Sequence, residues 1–249
     1  MATYNSEKTV ARAIKSLDSQ TFKGFEVIFV DKNSSDGTEK ILKKSKLNKF
    51  IIRGEDRGIY DAMNKGISHS SGKFVYILNS DDELYDKKVF ENMVPFLRQD
   101  YNFVYGATVV PSSGKLVSES YDFNVSLLSR GLFPAQQCIF YKRNLFSSVG
   151  LFDISYKSAA DFEFLCRVIA SNPKIKRLDL RVCIFHPGGF SGNNIGFFEL
   201  QKIIRKHFGF FSYFKWKYKI VIKTLLRSLL TKLGLIGSYR KIKKLIFKL

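Results

Sequence analysis

At 249 residues, 45% hydrophobic and 15% aromatic, the chain can bury a sizeable core. That excludes global disorder and fits one compact α/β domain with an attachment, or two closely packed halves. The formal net charge of +19 is uneven: no acidic residue follows Glu199, the last 50 residues carry 14 Lys or Arg, and the first 199 balance at +5.

In chain order, Asn5-Ser6 caps a helix whose apolar positions are Val10, Ala13, Ile14 and Leu17. Phe25 to Val30 is an apolar strand that stops at Asp31. A polar run to Thr38 follows, then a Lys-rich helix to about Leu47. Phe50-Ile51-Ile52 is a third strand, and Gly54 to Gly58 leads to a helix carrying Ala62, Met63, Gly66 and Ile67. Lys73 to Leu78 is another strand, ending at Asn79-Ser80-Asp81-Asp82. Strands alternating with helices, themselves nearly unbroken apolar runs, predict a parallel sheet covered on both faces.

The second half is less regular. Tyr105 to Glu119 reads as strand, turn, strand, and Ala159 to Ala170 as a helix with Phe162, Leu165, Cys166 and Ile169 on one face. A strand-like Val182 to Phe185 precedes the glycine-bearing loop from His186 to Asn194. From about Lys202, apolar and basic clusters alternate. Snorkelling lysines around aromatic and leucine residues fit a helix lying in a membrane interface. No secretory leader follows Met1, and no segment reaches about 18 uncharged apolar residues. Cys138, Cys166 and Cys183, odd in number and widely spaced, read as reduced core residues.

Polar residues gather after the strands, where open α/β sheets bind ligands. Asp31, Asp36, Asp56, Asp61, Asp81 and Asp82 all lie there, and six converging carboxylates repel unless cations or hydrogen-bond donors answer them. Asp81 and Asp82 suit a divalent metal bridging phosphate oxygens, or a turn before the next helix. Asp31 suits a nucleoside contact, or a cap on the turn at Ser34 to Gly37. Asp161 suits a general base, or charge stabilisation of its helix N-terminus. His186 reads as structural more readily than as a ligand, and His69 and His207 as surface residues.

Five fragments fall in order: Thr3-Tyr4-Asn5-Ser6, Val30-Asp31 with Ser35-Asp36-Gly37-Thr38, Asp56-Arg57-Gly58 through Asn64-Lys65-Gly66, Leu78 through Asp82, and Ala159-Ala160-Asp161-Phe162-Glu163. Together they resemble family 2 of the glycosyltransferases, over about residues 2 to 195. The resemblance implies an inverting, metal-dependent enzyme of the GT-A fold, a Rossmann-like, mostly parallel sheet flanked by helices, here with a basic amphipathic C-terminal helical tail. It divides the chain into a nucleotide-sugar half (1–105), an acceptor and catalytic half (106–200) and a membrane-associating tail (201–249).

The same resemblance implies roles. Thr3, Tyr4 and Asn5 contact the nucleoside, and Asp31 reads the uracil of a UDP-sugar. Asp56, Arg57, Gly58, Asp61 and Asn64 line ribose and diphosphate. Asn79, Ser80 and Asp81 stand at the family's DxD, with Asp81 and Asp82 as ligands for Mg²⁺ or Mn²⁺. Asp161 is the catalytic base, Gln136-Gln137 an acceptor-side motif, and His186 to Ser191 a closing loop. Asn79 departs from the usual aspartate and adds no charge.

The expected acceptor is a glycan or lipid-linked saccharide, at the inner face of the cell membrane, with residues 205–249 on anionic lipid and nucleic acid disfavoured as a partner. The alternatives are a nucleotidyltransferase or a membrane-tethered nucleotide-binding protein with a degenerate site. An apolar strand is also expected ahead of Thr3, with its residues upstream of Met1.

Overall fold

The computed structural model describes residues 1–112, 115–119, 123–186 and 194–232. In chain order the elements are β1 (Ala2–Thr3), α1 (Val10–Asp18), β2 (Val27–Asp31), α2 (Thr38–Lys44), β3 (Lys49–Arg53), α3 (Ile59–His69) and β4 (Phe74–Tyr76). Then come β5 (Glu83–Leu84), α4 (Val89–Leu97), β6 (Phe103–Ser112), β7 (Lys115–Glu119) and α5 (Val125–Leu128). A 3₁₀ turn at Gln136–Cys138, β8 (Ile139–Lys142), α6 (Leu145–Ser148), α7 (Ala160–Ala170), β9 (Ile175–Ile184) and α8 (Asn194–Lys232) complete the order.

The N-terminal rhythm forms as its periodicity predicts. Val10, Ala13, Ile14 and Leu17 are the buried stripe of α1, and all five residues of β2 are buried. β1, β2 and β3 make a small parallel sheet, Ala2 opposite Val30 and Val30 opposite Ile52. The Met1 amine donates to the Ile28 carbonyl at 2.7 Å.

The expectation of one mostly parallel Rossmann-like sheet is overturned by the second sheet. Its strands run β4-β8-β6-β9-β5, with β7 on β6. Within it only β6 and β9 pair in parallel; β4 with β8, β8 with β6, β6 with β7 and β5 with β9 are antiparallel. The strands mislead because burial on both faces, not direction, makes a strand uniformly apolar. In β8, Phe140 meets Phe90 of α4 on one side, and Tyr141 meets Phe164 of α7 on the other. An antiparallel strand sandwiched between helices therefore reads like a parallel one.

The three cysteines are buried free thiols. Helix α8 breaks at Gly209, whose φ of 78° is non-helical. Before the break, Ile203 and Ile204 are fully buried, so the first turns of the basic tail belong to the body. Phe210, Phe211, Phe214 and Tyr218 are exposed, Phe211 at 83%. Among the described residues no helix is long and apolar enough to cross a membrane. Side chains at Trp216 and from 219 onward, residues 233–249 and the 187–193 part of the expected closing loop lie outside those described.

Candidate active site

One cleft of about 890 Å³ opens where the ends of β1, β3 and β4 meet the 3₁₀ turn and the head of α7. Tyr4 and Asn5 line it at one place, Arg57 and Gly58 at another, and Asp81 and Asp161 at two more. Thr3, Asp56, Asp61, Asn79 and Ser80 also reach it, as do Gln136 and Gln137. Asp31, Asn64 and Asp82 are not among its lining residues.

Local bonds explain the loops. Asn5 adopts a left-handed φ of 45°; its amide donates to Ser34 Oγ at 2.9 Å, and its Oδ1 accepts from Ser35 N at 3.0 Å. Ser6 Oγ meets Ser80 Oγ at 3.0 Å, tying the first loop to the loop after β4. Tyr4 stands 60% exposed, with Lys32 Nζ 5.7 Å from its ring centre. Gly58 precedes α3 with φ 125°, a backbone that a side chain would strain.

The six aspartates separate by partner. Asp31 is fully buried: Thr3 Oγ1 donates to it at 2.9 Å, Ser34 N at 2.9 Å, and Arg53 Nε lies 3.5 Å away. Its carboxylate holds the two loops together from below. Asp36 accepts from Thr38 N and Glu7 N, each at 3.0 Å. Asp56 accepts from Gly58 N at 2.9 Å and lies 3.4 Å from Lys32. Asp61 accepts from Arg57 N and pairs with Lys65, both at 3.0 Å. Burial works against its charge, yet these donors hold its carboxyl below the usual range.

Asp82 points inward, 1% exposed. His186 N donates to its Oδ1 at 3.0 Å; Gln137 and Asn79 donate to its Oδ2 at 2.9 and 3.2 Å. Burial lifts its carboxyl to about 6 despite those donors. Both oxygens are thus engaged by protein, and the position fits a metal ligand poorly. The Asp81 carboxylate has no hydrogen bond or ion pair among the described residues and borders the cleft. The pair expected to share a cation therefore divides into a structural carboxylate and an available one. Among the described residues no three His, Cys, Asp or Glu side chains gather to hold an ion by themselves. A single carboxylate still fits Mg²⁺ or Mn²⁺ that takes its other ligands from diphosphate and water.

Asp161, in the first turn of α7, borders the cleft from the other side. Its Oδ1 accepts from Tyr60 OH at 3.1 Å and from Phe162 N at 2.9 Å. Its Oδ2 has no partner among the described residues. Burial raises the Asp161 carboxyl above its ordinary value, and the two donors act against that rise. Burial and the Asp161 charge push the Tyr60 hydroxyl upward, so it stays a proton donor.

Asn64, expected at the donor, instead exchanges two hydrogen bonds with the Phe152 backbone, at 2.8 and 3.0 Å. His207, expected at the surface, bonds Glu163 at 3.2 Å across 44 residues. His186 meets Glu83 at 3.0 Å. Sequence reasoning missed the Tyr60 bond to Asp161, 101 residues away. It also missed Glu199, which binds the turn before α7.

The model of glycosyl transferase family 2 matches residues 1–153. The chain belongs to that family. A PGL/p-HBAD biosynthesis glycosyltransferase of Mycobacterium tuberculosis is 30% identical over 196 residues, covering 76% of this chain and 75% of the relative. A GalNAc(5)-diNAcBac-PP-undecaprenol beta-1,3-glucosyltransferase of Campylobacter jejuni is 30% identical over 122 residues, 47% of this chain and 39% of its own. Among solved structures, S. aureus TarS 1-349 in complex with UDP-GlcNAc aligns with a TM-score of 0.67 at 24% identity, over 83% of this chain and 64% of TarS. The mannosyltransferase PcManGT of Pyrobaculum calidifontis, in complex with GDP-Man and Mn²⁺, aligns at 0.60 and 18% identity, over 88% and 62%. The family 2 match ends at residue 153, before Asp161, so α7 carries its side of the cleft outside the matched segment.

Proposed function

We propose that this family 2 glycosyltransferase moves a sugar from a UDP-sugar to a hydroxyl of a glycan or lipid-linked acceptor, by a single inverting displacement. The observation that carries the reading is the shared cleft. Asp161, with one oxygen held and one free, borders the same cavity as Asp81, whose carboxylate has no hydrogen bond or ion pair among the described residues. The named substrates of the relatives agree: an undecaprenol-linked glycan acceptor in one, and UDP-GlcNAc bound in another.

Within this reading Thr3, Tyr4 and Asn5 embrace the nucleoside, with the Asp31 carboxylate accepting from the Thr3 hydroxyl and the Ser34 amide beneath them. Arg57 and the Gly58 backbone border the diphosphate. A Mg²⁺ or Mn²⁺ held at Asp81 would neutralise charge on the leaving diphosphate. Asn79 contributes its amide to Asp82 and no charge to the cleft.

Asp161 Oδ2 takes the proton of the attacking acceptor hydroxyl. Tyr60 and Phe162 N fix the carboxylate's rotation, which keeps that oxygen aimed and the base partly desolvated. A carboxyl raised by burial is a stronger base than an exposed aspartate. The exposed aromatics of α8 among its lysines suit the interface of an anionic membrane. These exposed aromatics support a peripheral location at the inner face of the cell membrane, near a lipid-linked acceptor.

A panel of UDP-sugars with Mn²⁺, scored by UDP release with and without acceptor glycans, tests the reading. Acceptor-dependent release with at least one UDP-sugar is expected. No release with any donor, together with no UDP binding by calorimetry, would remove it.

A further inference from the structure

The last acidic residue of the chain, Glu199, lies on α8, outside the motifs discussed above. The Glu199 carboxylate accepts three backbone hydrogen bonds in a row: Oε1 from Lys157 N at 2.7 Å, and Oε2 from Ser158 N at 2.8 Å and Ala159 N at 2.9 Å. These are amides of the turn that enters α7, two residues before Asp161. Lys157 and Ser158 themselves border the cleft.

Two features make the contact more than a surface bond. Three charge-assisted bonds to consecutive amides fix the path of a turn that has no side-chain cap of its own. Gly196, one helical turn earlier on α8, lets the helix approach closely: a Cβ there would lie 2.9 Å from Ser158 Oγ. Further along, Glu163 of α7 accepts from Lys206 and His207 of α8, so the two helices are clamped at both ends of the contact.

We propose that Glu199 is a positioning residue, holding the 157–159 turn and thereby the placement of Asp161 in the cleft. The proposal rests on Asp161 acting as the base. It gives the basic C-terminal helix a part in the reaction that its composition does not announce. Among the described residues, the titratable groups that act on Asp161 or feel its charge include Tyr60 from α3, Tyr141 from β8 and Glu199 from α8. Glu199 is the carboxylate among them and opposes ionisation of Asp161.

The test compares the parent with Glu199→Gln and Glu199→Ala by amide hydrogen exchange, UDP calorimetry and the pH dependence of kcat. Exchange at Lys157, Ser158 and Ala159 is expected to rise about tenfold or more, because backbone donors lose a charged acceptor. Turnover is expected to fall by about tenfold in Glu199→Gln and up to about 10²-fold in Glu199→Ala, the loss that a misplacement of about 1 Å brings. UDP affinity stays at the parent value. The acid limb of kcat moves to lower pH in both variants, since a negative charge near Asp161 has gone.

Parent-like exchange, or faster exchange with parent-like kcat and acid limb, would overturn the proposal. So would a loss of UDP affinity and Tm in step with activity, which marks general unfolding. A parent that releases no UDP overturns the base assignment itself, and the exchange readout separates that failure from failure of the clamp.

Discussion

Tyr60 donates its hydroxyl hydrogen to Asp161 Oδ1 at 3.1 Å, joining the first turn of α3 to the first turn of α7. The bond links the helix that follows the cleft-lining Asp56-Arg57-Gly58 loop to the proposed base, so on the proposed reading donor binding and base orientation share one contact. Tyr60→Phe should lower kcat about tenfold with a parent-like UDP affinity. The hydrogen bond favours the ionised carboxylate, so its loss raises the Asp161 pKa further and moves the acid limb of kcat to higher pH. That is opposite in sign to the shift expected for Glu199→Gln. A downward shift in Tyr60→Phe would contradict the assignment.

Asp81 and Asp82 are adjacent but should respond differently. Asp81→Ala should abolish the part of UDP binding that Mn²⁺ enhances, while leaving Tm near the parent. Asp82→Asn should act on stability. The folded pKa of Asp82, about 6, lies above the unfolded carboxyl value. The folded state then binds more protons between about pH 4 and 6, and stability is lost as pH rises through that window. Relative to Asp82→Asn, the parent should lose about 2–3 kcal/mol between pH 4 and 7. Urea unfolding of both proteins across that range decides it, and parallel pH profiles would show that Asp82 does not titrate there.

Glu163 is the anionic centre of the α7–α8 contact, 1% exposed and bonded to Arg167, Lys206 and His207. Burial alone would raise its carboxyl, but these donors prevail and hold it at about 2. Its contribution is therefore full above the unfolded value and is lost as pH falls through about 2. Glu163→Gln should cost about 3 kcal/mol at pH 7, because Arg167 and Lys206 lose their counter-charge. The difference from the parent should shrink between pH 4.5 and 2. A variant as stable as the parent at pH 7 would show that α8 docks by its apolar face alone.

The described part of α8 divides the basic tail by burial. Ile203, Ile204 and His207 face the body, whereas Phe210, Phe211 and Phe214 are exposed. Cutting the chain at residue 205 would therefore remove body contacts along with any anchor. Replacing Phe210, Phe211 and Phe214 together by Ser should weaken co-sedimentation with anionic vesicles at least tenfold, with an unchanged Tm and unchanged activity on a short soluble acceptor. Parent-like co-sedimentation would place membrane attachment elsewhere.

Much of the cleft was legible because its loops are short and local. Tyr4-Asn5, Asp56-Arg57-Gly58, Asn79-Ser80-Asp81 and Asp161 each sit where a strand ends or a helix begins, and all reach one cavity. What a carboxylate bonds to was not legible. Asp82 and Asp81 are indistinguishable as letters, yet one is walled in by Gln137 and His186, which arrive from 55 and 104 residues away. His207 was read as a surface residue because its partner is 44 positions back on another helix. The direction of the strands was hidden for a different reason: Phe140 and Tyr141 face opposite helices, and an apolar run records double-sided burial whatever the chain direction.

The account turns on Asp161 as the proton acceptor, so single-turnover kinetics of Asp161→Asn against the parent, with matched UDP calorimetry, test it most directly. The amide keeps the side chain's size and can still accept from Tyr60, but it cannot take a proton. Transfer should fall by about 10²–10⁴-fold while UDP affinity and Tm remain close to the parent. Parent-like transfer by purified Asp161→Asn would contradict the mechanism.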